Sequence, residues 1–403
     1  MKVLKALAST LLSLLLFLCL TVMGVAITIN ATALNSGFVT AQIDKLDVVA
    51  LFNEEVLPEL QKDEQLAAHP ELISSLKSAV THNAPALKSA VTKAVSDIYE
   101  YLLHGGTLNL RSTLKNSILD PRLAISILND IDFSTVVRDW LLQSLPPEGV
   151  VVAGFNINLT PYIDSIIPVI EPYFKEQLSL LIPKLYDFIL GASSALDLSI
   201  PISPVLDDIA STLKSAFLAS PPPSLAGLPR ALLSPAFDIF WAQTVSQMPA
   251  NIDLNSSEIG LGQPAEIGQA LDSAQSSLAE ARRWVVYYQE GFWALVGLSV
   301  LLILFIILVN RNVKTTCRIL GGTFMTYGVT EAAGVIISRG LIHNQMASAL
   351  TGVPPSMQPW LVQLIDSLMN PLLIFAISCA VLGVILFVVS FLYRRTQGKS
   401  VPA

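Results

Sequence analysis

GFWALVGLSVLLILFIILV, residues 291–309, is a run of 19 residues without a charge. At about 1.5 Å per helical residue it can cross a hydrocarbon layer about 30 Å thick. Trp284, Tyr287, Tyr288, Phe292 and Trp293 crowd its front, the belt expected where amphipathic rings meet lipid headgroups. LLIFAISCAVLGVILFVVSFLY (372–393) and ALASTLLSLLLFLCLTVMGVAITI (6–29) read the same way by length and lack of charge. A fourth candidate, ILGGTFMTYGVTEAAGVII (319–337), carries Glu331 and four glycines.

Charge placement favours counting all four. With four spans the short segments 1–5, 310–318 and 394–403 fall on one side and hold Lys2, Lys5, Arg311, Lys314, Arg318, Arg394, Arg395 and Lys399. Only Arg339, of the nine basic residues outside Asn30–Glu290, is not among them. Cytoplasmic loops carry such an excess, and dropping the third span would move Arg394, Arg395 and Lys399 outside. The expected topology is therefore 6–29, 291–309, 319–338 and 371–393 in a plasma membrane, with both termini cytoplasmic and residues 30–290 extracytoplasmic. For the first stretch a cleaved secretory signal competes, with Lys2 and Lys5 as its basic start and Ala31-Thr32-Ala33 as its cleavage site. The apolar run is about twice the usual signal core, which favours an uncleaved anchor.

The intervening segment is acidic. Of 31 Asp and Glu only Glu331 and Asp366 lie outside residues 30–290, leaving 29 against 15 of the 24 Lys and Arg, a net −14. Such a surface argues against nucleic acid and against docking on anionic lipid. Solubility is its plain explanation, an acidic ligand site the alternative. The three cysteines, Cys19, Cys317 and Cys379, all sit in or beside the membrane stretches, so a disulfide framework and a zinc-thiolate site are excluded from this segment. Its fold rests on its own core.

Residues 30–264 read as a mostly helical domain with minor β. Phe133, Val136, Val137, Trp140, Leu141 and Leu145 share one face of a helix over 132–145 that Pro146-Pro147 closes. Further helices are expected over 46–61, 70–103, 161–190 and 202–219, the 161–190 segment subdivided by Pro168, Pro172 and Pro183. The β-branched 150–159 and the alternating 196–202 look extended. Proline and glycine gather at 220–229 and 255–264, as in linkers. From 265 to 309 no proline intervenes, so a stalk helix over 265–290 can continue into the second span. A shift of 87 positions places Val80, Pro85, Lys88, Val91 and Tyr99 over Ile167, Pro172, Lys175, Leu178 and Tyr186. A duplication of about 72–110 in 159–198 is one explanation, chance agreement of amphipathic helices the other.

No catalytic constellation emerges. H-E-x-x-H, the phosphate-binding G-x-x-x-x-G-K-[ST], a dinucleotide G-x-G-x-x-G and a G-x-S-x-G elbow are all missing. His104-Gly105-Gly106 reads as a helix stop. His69 and His82 lack helical metal spacing, and Asp130 and Asp132 lack a third ligand. Glu54-Glu55, Asp63-Glu64 and Asp207-Asp208 diverge on a helix and default to solvated surface. Three glycosylation sequons, at Asn30, Asn158 and Asn255, are close to chance in number. The chain is expected to be non-enzymatic, with no catalytic, cofactor-binding or metal residue, no cofactor and no nucleic-acid partner. Membrane lipids and an envelope protein are the expected partners, and no residue names a ligand.

Glu331 is the candidate intramembrane functional residue, because a carboxylate at membrane depth is costly and suggests an ion path or a buried partner. Thr326, Tyr327, Thr330 and Ser338 could instead satisfy it on its own helix. Gly328, Ala332 and Ala333 offer a small-residue face for close packing. In the outer loop, 339–370, Met357, Trp360, Leu361, Leu364, Ile365 and Leu368 share a helical face, expected to lie in the interface.

One span, a large outer domain and three more spans is an order similar to that of the mechanotransmission permeases of the MacB and FtsX kind. The resemblance lies in topology and in Arg318-Ile-Leu-Gly-Gly at the start of the third span. The segments before the first span and between the second and third, five and nine residues long, are shorter than in that family. The resemblance implies an alternative role, a transport or mechanotransmission subunit coupling an outer domain to moving helices, and carries over no functional residue. The expected fold is an all-α membrane protein with four transmembrane helices and a large helical extracytoplasmic domain between the first and second.

Overall fold

The computed structural model describes residues 2–144, 150–152, 155–158, 160–193, 196–222, 225, 227–246, 250–255, 264–350 and 352–397. The chain forms two compact units. One comprises Met1–Asp47, Thr92–Leu108 and Ser276–Ala403; the other comprises Val48–Val91 and Asn109–Gln275. One boundary between the units falls near 47, and 92–108 belongs with the apolar helices. Prolines 146 and 147, most of the 255–264 linker, and Lys399 lie outside the described residues.

The first unit is built from α1 (Lys2–Ala31), α2 (Ser36–Asp44) and parts of the long helices described below. Among the described residues three helical segments are long and apolar enough to cross a membrane: Lys5–Ala31, Ile267–Asn310 and Met357–Leu392. On α1 Ser9, Leu16, Leu20 and Gly24 are buried in one row, with Ser13 half-buried between them, and Ala26 is buried beside it. This is the i, i+4, i+7 face of a helix packed along its length.

The second unit starts with α3 (Val48–Leu51), a π-helical turn over Phe52–Val56, α4 (Leu57–Leu60) and α5 (Glu64–Ala67). α6 (Pro70–His104) begins in this unit and ends in the first. Next come α7 (Leu110–Lys115), α8 (Pro121–Asp130) and α9 (Ser134–Ser144). A hairpin of β1 (Val150–Val152) and β2 (Phe155–Ile157) leads into a 3-10 turn at Thr160–Tyr162 and α10 (Ile163–Ile189). After β3 (Asp197–Pro201) come α11 (Ser203–Ala219) and α12 (Arg230–Val245), and β4 (Asn251–Asn255) pairs antiparallel with β3. Helices α2, α5, α7, α8 and α12 and strand β4 were not expected from the sequence.

The prolines of α10 do not subdivide it: the helix runs through Pro168, Pro172 and Pro183. Pro168 and Pro172 are exposed, so the carbonyls they leave unbonded face water. On the opposite side Ile163, Ile166, Ile167 and Ile170 are 2–8 % exposed. Their burial contributes roughly 1.5–3 kcal/mol each, comparable in sum with the cost of about 3 kcal/mol for each of the three interior prolines. They meet Val205, Ile209, Leu213 and Phe217 of α11 and Leu233, Phe237 and Phe240 of α12 in one core. Phe217 and Phe237 lie 5.5 Å apart, and Trp241 stacks on Phe237 at 6.3 Å. A smaller core joins Leu181 and Phe188 to Leu196, Leu198 and Ile200.

Polar and charged contacts tie this unit's helices together: His82 to Asp130 at 3.1 Å, His69 to Asp139 at 3.4 Å, Arg111 to Asp272 at 2.9 Å, and Lys214 to Asp238 at 2.7 Å. Asp130 also accepts from Asn83 at 2.7 Å, and Asn83 accepts from Ser126 at 2.8 Å. Asp130 is thus engaged with α6, while Asp132 accepts from the Ser134 N–H at 2.9 Å. Asp120 caps α8 through the Arg122 N–H at 2.9 Å. The Arg122 side chain and backbone hold the Asp120 carboxyl below its ordinary range, and Ser134 does the same for Asp132.

The two segments compared by the 87-residue shift are α6 and α10. Gly105 and Gly106 end the first at φ 90° and 103°, and Gly191 ends the second at φ 68°. Beyond the glycines the segments diverge, because Leu110 opens helix α7 whereas Leu198 lies in strand β3.

α13 (Pro264–Asn310), α14 (Val313–Ala349) and α15 (Met357–Gln397) complete the chain. The helix expected to lie separately in the interface is the first part of α15, which continues through Pro371 into the apolar run. A helix of 41 residues is about 60 Å long, so it projects well beyond a 30 Å layer. Within the first unit the projecting part is held by Trp360, whose indole N–H donates to the Gln42 carbonyl at 2.8 Å. The Tyr99 hydroxyl donates to Ala33 at 2.9 Å, and the Arg282 guanidinium lies 5.2 Å over Tyr101 beside Gly105.

Candidate functional site in the apolar helix bundle

α14 does not qualify as a span by composition, since Glu331 and its glycines dilute its apolar run. The glycines instead set its packing. A Cβ on Gly328 would press on the Ala376 carbonyl and sit 2.5 Å from the Ala380 nitrogen, and one on Gly383 would sit 2.6 Å from the Met325 nitrogen. Gly321 is nearly as close to Gly383 and Phe387. Small residues thus let the backbones of α14 and α15 touch. The face is Gly321 and Gly328; Ala333, expected to share it, is exposed.

Tyr327 is fully buried where α1, α14 and α15 meet, edge-on to Phe17 at 5.9 Å and to Phe375 at 5.8 Å. Its hydroxyl points at Gly24 and has no hydrogen-bond partner among the described residues. Glu331 lies one turn further on and is half-buried. Thr326, Tyr327, Thr330 and Ser338 make no hydrogen bond to it. Arg339 turns to α15, donating to the Asp366 carbonyl at 3.0 Å and to Asn370 Oδ1 at 2.7 Å. Glu331 makes no hydrogen bond or ion pair among the described residues, although its charge acts on the Tyr327 phenol one turn back.

The basic end of the same bundle holds a groove of about 800 Å³ between α1 and α14. α1 contributes Lys5, Ser9, Ser13 and Phe17, and α14 contributes Thr315, Arg318, Gly322 and Thr326 at helical spacing. Ser9 donates to Asn310 Oδ1 at 3.2 Å. Thr323 donates to the Ile319 carbonyl at 3.0 Å, so Ser13 is the donor in its 2.5 Å bond to Thr323. Two polar rungs therefore fasten α1 to the end of α13 and to α14. A separate apolar cavity of about 320 Å³ lies among Leu20, Val296, Ser299, Phe324, Phe375 and Cys379. α13 meets the other helices through Leu302 and Ile306 below it.

The sequence reading missed the groove, although its signal is present. Ser9 and Ser13 are four apart inside a mostly apolar run, and Thr315, Arg318, Gly322 and Thr326 step by three and four. The fold and the bundle define the class: an all-α protein with helices of membrane-crossing length, packed as in polytopic membrane proteins. Comparison with protein families, with curated proteins and with solved structures gives no match.

Proposed function

We propose that this chain is a four-span membrane protein without a catalytic centre, whose acidic helical segment lies outside the cytoplasm and presents a surface to an envelope partner or small ligand. The observation that carries the reading is the backbone contact of α14 with α15 at Gly321, Gly328 and Gly383. A helix so bound along an apolar neighbour shares its layer, and the contact offsets the cost of carrying Glu331 there. Counting α14 keeps Arg311, Lys314, Arg318, Arg394 and Arg395 on one face. The buried face of α1 supports a retained anchor. Glu331 stays the candidate functional residue of the bundle, supported by a half-buried carboxylate that makes no hydrogen bond or ion pair among the described residues.

Single cysteines introduced at Asp208, Asn312 and Gly352 in a background lacking Cys19, Cys317 and Cys379 test the topology with an impermeant maleimide on intact cells. Asp208 and Gly352 should label from outside and Asn312 only after permeabilisation. Labelling of Gly352 from the inside alone would replace four spans by three.

The unbroken course of α13 from Pro264 to Asn310 supports a second reading, a transport or mechanotransmission subunit. Crosslinking in native membranes separates the two. A stoichiometric cytoplasmic ATPase would favour the second reading, and an extracytoplasmic protein alone the first.

A further inference from the structure

The groove between α1 and α14 is polar in an unusual place. Its walls belong to helices that face lipid, yet Lys5 and Arg318 stand exposed at one end and hydroxyls follow inward. Neither cation has an ion-pair partner among the described residues, and no acidic side chain lines the groove. Thr315 and Thr326 make no hydrogen bond there either, so their hydroxyls are available as donors. Asn312 caps the start of α14 by accepting from the Lys314 N–H at 3.1 Å. The first turn of α14, with its partial positive charge, therefore lies at the cationic end. Deeper in, Leu14, Phe17, Ile319 and Phe387 make the lining apolar. From Lys5 to Phe17 the groove runs about 18 Å along α1, from headgroup level into the hydrocarbon. Its volume of about 800 Å³ is in the range of ligand sites.

We propose that this groove binds a phospholipid with an anionic headgroup. The phosphate lies between Lys5, Arg318 and Thr315, and one acyl chain follows Phe17 and Ile319. Basic pockets between membrane helices are suited to such headgroups, and the site adds a match in depth between charge and apolar wall. The proposal rests on the reading that α1 and α14 lie in the membrane, but not on which face their basic ends occupy.

The test uses the full chain in detergent, titrated with phosphatidylglycerol, phosphatidylcholine or glycerol phosphate and followed by native mass spectrometry and thermal shift. Phosphatidylglycerol should bind and stabilise, phosphatidylcholine much less, and glycerol phosphate without chains weakly. Lys5→Gln and Arg318→Gln should each weaken phosphatidylglycerol binding about 5-fold, and together about 25-fold. Arg311→Gln with Lys314→Gln removes equal charge from the same end without touching the groove, and should cost little. Gly322→Leu keeps the charge and fills the groove; a Cβ there meets only Phe387, at 4.0 Å. It should abolish the preference while the protein still melts cooperatively. Equal losses from the two charge pairs, or unchanged binding in Gly322→Leu, would overturn the site. Equal binding of glycerol phosphate would replace the lipid by a free phosphate. An α14 found outside the membrane by cysteine labelling would remove the premise instead.

Discussion

Gly328→Ala tests the packing on which the four-helix bundle depends. The added methyl would stand 2.5 Å from the Ala380 nitrogen and 2.8 Å from its Cα, and against the Ala376 carbonyl. Ordinary contact begins near 3.4 Å, so α14 and α15 must part by about 0.9 Å. The obstructing atoms are backbone and cannot rotate away. Overpacking costs about 1–3 kcal/mol, and three close backbone atoms of α15 place this case at the upper end. Alanine returns about 1 kcal/mol in helix propensity, leaving a net loss of about 2 kcal/mol. Gly334, six residues on, has nothing within 4 Å of its ideal Cβ, so Gly334→Ala keeps the propensity gain alone. At about 2–4 °C per kcal/mol, Gly328→Ala should melt about 4–8 °C below the parent and Gly334→Ala slightly above it. Differential scanning fluorimetry of both proteins in one detergent measures the contrast. A Gly328→Ala protein as stable as the parent, or a Gly334→Ala protein that falls equally far, would refute the close-contact account.

Tyr327→Phe removes a buried hydroxyl without a partner, so it should hold or raise the melting temperature; a drop would reveal a partner for that group. Phe217→Ala opens the core of the second unit at a fully buried ring and should cost about 3–5 kcal/mol, read as a loss of near-ultraviolet dichroism at lower temperature. Glu331→Gln should leave melting and assembly unchanged, since the carboxylate has no bonded partner among the described residues, and clear destabilisation would contradict its placement. Asp120 and Asp132 have folded pKa values below their unfolded value of about 3.9. Their contribution is present above that value and is lost as pH falls through the folded pKa. Melting temperature should therefore decline on acidification below about pH 4, less steeply in Asp120→Asn, which keeps the cap and loses the carboxylate; equal slopes would argue against the Arg122 contact.

Much of this molecule is readable along the chain because hydrophobic length and helical periodicity are local properties. The uncharged runs ending near Ile29, Val309 and Tyr393 lie in helices, and the proline-free stretch after Ala265 lies in one continuous helix, α13. The extended pieces near Val150 and Leu198 are strands. What failed was reasoning from single residues about outcomes that burial decides. Pro168 and Pro172 leave α10 whole because they face solvent while Ile163 and Ile170 face the core. The helix from Met357 joins the apolar run through Pro371 rather than lying apart.

Glu331 was conspicuous in the sequence, whereas the groove was not. A carboxylate in an apolar run stands out by itself, but serines and threonines there become a site only when Ser9, Ser13, Thr315 and Arg318, three hundred residues apart, are set side by side. By itself the sequence determined that this is a helical chain with membrane-length apolar runs and an acidic intervening segment, because charge and hydropathy need no partner. Only the tertiary structure decided which glycines carry backbone contact, that 92–108 packs with the apolar helices, and where polar groups converge. Those depend on the distance between helices, which no single helix encodes.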